Sequence, residues 1–116
     1  MVEGIRTGRT ALAITTDFVL DETVTILGRR RGFGATNATR VVASIMASPR
    51  VFVVYTDETL LKESLLSYPA YAGKLSLTDV VSTTVMKKYG VRRIFSHDHD
   101  FDRVEGVRRV ETISLR

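Results

Sequence analysis

Between Ser96 and Asp102 the chain reads SHDHDFD, three aspartates and two histidines directly after the strand-like stretch VRRIF at 91–95. Carboxylates gathered where a buried strand ends are a donor set for a hard divalent cation. Mg²⁺ or Mn²⁺ would keep several waters there and bridge to phosphate oxygens. Alternate residues of an extended segment face one way, so Asp98 and Asp100 would share a cation while Asp102 faces water. A competing explanation has equal weight: acids at the start of a short helix are stabilised by its dipole, and DHDFDRV can begin one. His97 and His99 would suit a transition metal, but two histidines in a polar loop are more simply solvated.

Two acids elsewhere stand out by position. On a helical wheel of about 100° per residue, Phe18, Val19, Leu20, Val24, Ile26 and Leu27 form a broad apolar arc that contains Glu22 and leaves Asp21 outside. A carboxylate facing a core needs a cation or hydrogen-bond donors to offset desolvation. Otherwise it sits at the margin of the arc and reaches solvent. Ser76 and Asp79 have the spacing of a capping box, which accounts for both without any function. The same geometry places an acid in a first helical turn, able to hold a metal. The run RRRGFG at 29–34 offers Arg29, Arg30 and Arg31, with Arg40 further on, for a nucleic acid backbone, and Phe33 for stacking. Its plainer reading is a helix C-terminus whose dipole the arginines neutralise, followed by a turn.

The elements that must position these residues follow from periodicity and breakers. TALAITT (10–16) reads as a strand, with Asp17 capping a helix through FVLDETVTILGRR. ATNATRVVASIMAS is a second helix that stops at Pro49. RVFVVYT (50–56) is a continuous apolar run, predicted as a strand buried on both faces of a parallel sheet. DETLLKESLLSY is a helix with Leu60, Leu61, Leu65 and Leu66 on one apolar face, closed by Pro69. The helix from Ser76 to Tyr89 ends with Lys87, Lys88 and a Gly90 cap. VRRIFS is a third strand, and VRRV near Val107 a fourth, at an edge because it is so charged. Strands alternating with helices predict an α/β fold, a parallel twisted sheet flanked by helices. In such sheets ligands bind beyond the carboxyl ends of the strands, where the aspartates after Phe95 would stand.

Composition narrows the class. With 116 residues, 44% of them hydrophobic, the chain is expected to form one domain, 1–116, with a packed core. A formal charge of +4 is compatible with a polyanionic partner without establishing one. There are no cysteines, which excludes disulfides, thiolate metal sites and thiol nucleophiles. The apolar run after Arg6 and Arg9 is too short for an export signal. No stretch approaches the roughly 20 apolar residues of a membrane span. A cytoplasmic protein without membrane association is expected.

In ordered blocks covering nearly the whole chain, the sequence resembles the PIN domain family, which includes the VapC-type toxin ribonucleases of toxin–antitoxin pairs. TTDFVLDETVTIL resembles the helix carrying that family's second acid, LSLTDVVSTTVMKKYGV the helix carrying the third, and RRIFSHDHDFDRV the strand and loop holding the fourth. The resemblance implies catalytic, metal-holding roles for Glu22, Asp79 and Asp98, with Asp100 as an additional metal ligand. Ser96 matches the hydroxyl of the S/T-x-D motif and would support the cluster. It further implies Mg²⁺ or Mn²⁺ as cofactor, RNA as substrate, an antitoxin protein as partner, and self-association as a homodimer. Family members open with a strand ending in aspartate, and nothing before Thr10 fits it. MVEGIRTGR resembles the tail of that first helix and its turn, so the N-terminal βα unit is expected to be missing. Its strand would lie between TALAITT and VRRIFS, and its loss would expose two strand edges.

Three functional readings therefore remain at the level of sequence. The first is a metal-dependent endoribonuclease, the toxin of a toxin–antitoxin pair, active if the missing acid is supplied. The second is a truncated, inactive PIN-like domain that binds RNA or a protein. The third is a small phosphate- or nucleotide-binding α/β domain.

Overall fold

The computed structural model describes residues 2–7, 10–71 and 73–111. The chain runs β1 (Val2–Thr7), β2 (Thr10–Thr16), α1 (Asp17–Arg29), α2 (Gly34–Ala47), β3 (Val51–Val54), α3 (Glu58–Ser67), α4 (Leu77–Tyr89), β4 (Arg93–Phe95) and β5 (Arg108–Val110). Two 3₁₀ turns, Tyr68–Tyr71 and His99–Arg103, follow α3 and β4.

The strands form a single five-stranded sheet of order β3-β2-β1-β4-β5. β3 pairs parallel to β2, and β5 parallel to β4, as the βαβ pattern predicts. β1 runs antiparallel to both of its neighbours, setting Val2 beside Ile14 and Ile94 and Glu3 beside Ala13 and Arg93. Of the segment read as a helix tail and turn, residues 2–7 are a strand that fills the slot where two open edges were expected; its residues 1, 8 and 9 lie outside the described ones. Thr7 pairs with Thr10, so residues 2–7 lie antiparallel along β2 and satisfy backbone groups that a bare edge would leave unpaired.

Three further expectations change in detail. Thr16, not Asp17, caps α1: its Oγ1 accepts from the Val19 N–H at 3.1 Å. Asp17 is freed to accept from the backbone N–H and hydroxyl of Thr56, at 3.0 and 2.7 Å, fastening α1 to the chain beyond β3. β3 is not buried on both faces. It is an edge strand with Phe52 47% exposed, its ring leaning edge-on against Tyr89 at 5.9 Å. In α3 the inward positions are Leu60 and Ser64, while Leu65 and Leu66 face outward.

The core is organised around α4, where Val80, Val81, Val85 and Met86 are fully buried against Ile14 of β2, Leu60 of α3 and Ile94 of β4. α4 also packs against α1, which packs in turn on α2. Its ends are fixed by local chemistry. The Ser76 hydroxyl and Asp79 carboxylate form a reciprocal capping box at the start. At the end Gly90, with φ 68°, takes the left-handed cap while the Val91 N–H donates to the Met86 carbonyl at 2.8 Å. Beyond β4, Phe101 and Val104 drop into the same core and anchor the acidic loop from beneath. Burying the Phe101 ring contributes roughly 1.5–3 kcal/mol to holding that loop.

Candidate active site

Glu22 lies in the second turn of α1 and Asp79 in the first turn of α4. α1 follows the carboxyl end of β2, and α4 leads back into β4, so both acids belong to the sheet rim where strands end. Contact between the two helices brings them within electrostatic reach. The Glu22 carboxyl is held above its ordinary range, first by partial desolvation, then by the charge of Asp79, then by that of Asp21. Glu22 is itself exposed, so it stands at the margin of the apolar arc rather than in the core. Asp79 is half-buried, and its Oδ2 accepts from the Ser76 N–H at 3.1 Å and the Ser76 hydroxyl at 2.9 Å. Those two donors orient one oxygen of Asp79.

The acidic loop is built differently. Ser96 accepts from the Asp98 N–H at 3.0 Å, and Asp98 Oδ1 accepts from the Asp100 N–H at 2.9 Å. Asp98 therefore caps the 3₁₀ turn, and the segment is not extended beyond it. Asp100 faces Arg103 at 3.4 Å. Asp102, expected to meet only water, is tied to Arg109 at 3.2 Å. His99 Nδ1 lies 3.0 Å from the Arg109 guanidinium, and the His97 ring stands edge-on to Phe95. Of the two explanations weighed for these acids, the structure has the helical one: Asp98 caps a 3₁₀ turn that sits at the end of β4, and the extended segment on which Asp98 and Asp100 would face one way is not formed.

Among the described residues no three histidine, aspartate or glutamate side chains are gathered so as to hold a metal ion. Glu22 and Asp79 lie on helices in contact, near enough for the charge of Asp79 to act on Glu22; Asp98 and Asp100 are engaged within their own loop and do not complete a cluster with them among the described residues. The pair alone suits a hard cation. Mg²⁺ takes one or two carboxylates and keeps its waters, and the repulsion between two like charges is relieved by a cation placed between them.

Arg29 ends α1, Arg30 is its C-cap, Arg31 begins the turn and Arg40 lies on α2; all four are exposed and, among the described residues, none is in an ion pair. Arg29 follows Glu22 by two helical turns on the same face, about 10 Å along the axis. The same arginines also neutralise the end of α1, so the helix-terminus reading and a role in binding coexist.

Residues 3–107 match the family model for the PIN domain. The chain belongs to the PIN domain family. PIN nucleases are in general dependent on divalent metals. Among solved structures, this PIN domain is similar to Mycobacterium tuberculosis VapC20, described as a sarcin-ricin loop cleaving toxin. The TM-score is 0.68 and the identity 29%, over 79% of this chain and 69% of that one. No curated protein matches it. No helix among the described residues is long and apolar enough to cross a membrane.

Sequence reasoning did not single out Arg109. Its side chain is only 12% exposed, and it meets Asp102, Glu111, His99 and the Ser96 carbonyl. Hydrogen bonding to Arg109 is the main reason the Glu111 carboxyl is held below its ordinary range. The available signal was an arginine in a short strand following an acid-rich loop, and it was read only as edge charge.

Proposed function

We propose that this PIN domain is a metal-dependent endoribonuclease that hydrolyses RNA phosphodiesters as the toxin of a toxin–antitoxin pair. The observation that carries the reading is the PIN fold itself, in which Glu22 on α1 and Asp79 on α4, helices in contact, stand at the strand-end rim; partial desolvation and then the charge of Asp79 raise the Glu22 pKa. Similarity to a toxin that cleaves an RNA loop supports the substrate class.

Glu22 and Asp79 would hold the Mg²⁺ or Mn²⁺, with Asp98 and Asp100 approaching from the loop after β4. When bound, the ion would supply charge neutralisation at the phosphate and lower the pKa of a water. Asp79, oriented by the two Ser76 donors, keeps one oxygen directed, and Glu22 adds a second carboxylate to the rim. Ser96 holds the Asp98 backbone and so the direction in which that acid leaves the strand. Arg29, Arg30, Arg31 and Arg40 would carry the RNA backbone, positioning it without reading its sequence. The apolar groove between α1 and α2, lined by Leu20, Val24, Val42 and Met46 next to Asp21, would offer a segment of an antitoxin a seat. Self-association as a homodimer belongs to the same reading.

Incubation of the purified chain with structured RNA and Mn²⁺, with and without chelator, tests it. Chelator-sensitive cleavage that is lost in Asp79→Asn and in Asp98→Asn, both still folded, is the expected result. RNA binding without cleavage would instead favour an inactive, RNA-binding PIN domain. That second reading has its own observation: the central slot expected to bear a further acid is held by antiparallel β1.

A further inference from the structure

The loop Ser96–Asp102 is fixed to the core from below by Phe101, 3% exposed, but an anchor at one residue leaves the segment free to pivot. From the other side a single guanidinium spans it. Arg109 Nη1 donates to the Ser96 carbonyl at 3.3 Å, Nε to Asp102 Oδ1 at 3.2 Å, and Nη2 faces His99 Nδ1 at 3.0 Å. Nη1 also donates to Glu111 at 2.7 Å, which supplies a second carboxylate to a largely buried cation. The contacts fall at the first, fourth and last residues of the loop, so Asp98 and Asp100 lie between points held by one rigid, planar group. The strand bearing it is in register with the loop's own root: Arg109 pairs with Ile94, and the Ser96 N–H donates to the Val110 carbonyl at 3.0 Å.

We propose that Arg109 is a positioning residue, a clamp from β5 that sets the direction of the Asp98 and Asp100 carboxylates at the strand-end rim. Its consequence for cleavage rests on the ribonuclease reading; the clamp itself does not. Lysine cannot replace it, because one ammonium group cannot reach a carbonyl, a carboxylate and an imidazole in a fixed fork.

The test compares wild type with Arg109→Ala, Arg109→Lys and Asp102→Ala, and uses Arg108→Ala, an exposed neighbour on β5, as control. Amide hydrogen exchange reads the clamp and RNA cleavage in Mn²⁺ reads its use. The Asp98, Asp100 and Phe101 amides should exchange at least about tenfold faster in Arg109→Ala, as expected for loss of charge-assisted hydrogen bonds, while amides of α4 keep their protection. Cleavage should fall about 100-fold in kcat with KM for RNA little changed, as for a catalytic group misplaced by about an ångström. Arg109→Lys should not restore it, and added methylguanidinium should restore Arg109→Ala in part. If Arg109→Ala does not fold, Asp102→Ala removes one arm of the clamp and should show the same loop exchange at smaller amplitude. Loop exchange unchanged in folded Arg109→Ala, or faster exchange with unaltered kcat, would overturn the proposal. Should wild type itself not cleave while the loop still loosens in Arg109→Ala, the ribonuclease reading falls and the clamp stands.

Discussion

Glu22 on α1 feels partial desolvation and the charge of Asp79 on α4, and the consequence is measurable without a substrate. Folding raises the Glu22 pKa above its unfolded value near 4.5. The fold therefore favours the protonated form: that contribution is complete below the unfolded value and is lost as pH rises through the raised one. At neutral pH ionised Glu22 is a net cost. Glu22→Gln should raise the melting temperature modestly at pH 7 in chelator, and the gain should vanish below about pH 4. Mn²⁺ relieves the same repulsion, so it should raise the melting temperature of wild type more than that of Glu22→Gln, which thermal unfolding with and without the ion will show. Asp79→Asn should abolish cleavage at least about 100-fold while leaving the circular dichroism spectrum unchanged, since the amide oxygen can still accept from Ser76.

At the scale of elements, α4 is where local chemistry and core packing coincide, and its two ends can be tested separately. Ser76→Ala removes the hydroxyl that accepts from the Asp79 N–H and donates to its carboxylate. It should cost about 1 kcal/mol in urea unfolding, and it should slow cleavage through the loosened Asp79. Gly90→Ala puts a side chain on the residue at φ 68° and should cost about 1–2 kcal/mol with no effect on cleavage beyond that. Both features were readable from S-x-x-D at one end and K-K-Y-G at the other, because caps depend on residues within one turn. The inward face of α3 was not: periodicity offered Leu60, Leu61, Leu65 and Leu66, whereas Leu60 and Ser64 face the core, Ser64 being sealed by a hydrogen bond to the Leu60 carbonyl.

For the molecule as a whole, continuity of the sheet passes through β1. β2 and β4 each pair with it, and β3 and β5 hang from them as edges. Deleting residues 2–7 should open two inner strand edges, broaden or split the unfolding transition and promote association, which urea titration with sedimentation will detect. Met86→Ala, in the core shared by both halves, should cost about 2–5 kcal/mol but leave one cooperative transition.

The sequence by itself determined the α/β class, the helices and most of their ends, and the candidate acids, because periodicity, caps and breakers act through neighbours along the chain. Three ordered blocks were enough to identify the family. Only the tertiary structure decided that residues 2–7 become the central strand, that the strand after Arg50 is an edge, and which acids meet. Glu22 and Asp79 are joined by helix–helix contact, while Asp98 is kept within its own turn. It also decided the place of Arg109, whose partners lie on both sides of it in the chain. Such pairings depend on how distant segments pack, and no local pattern encodes the direction in which a side chain finally points.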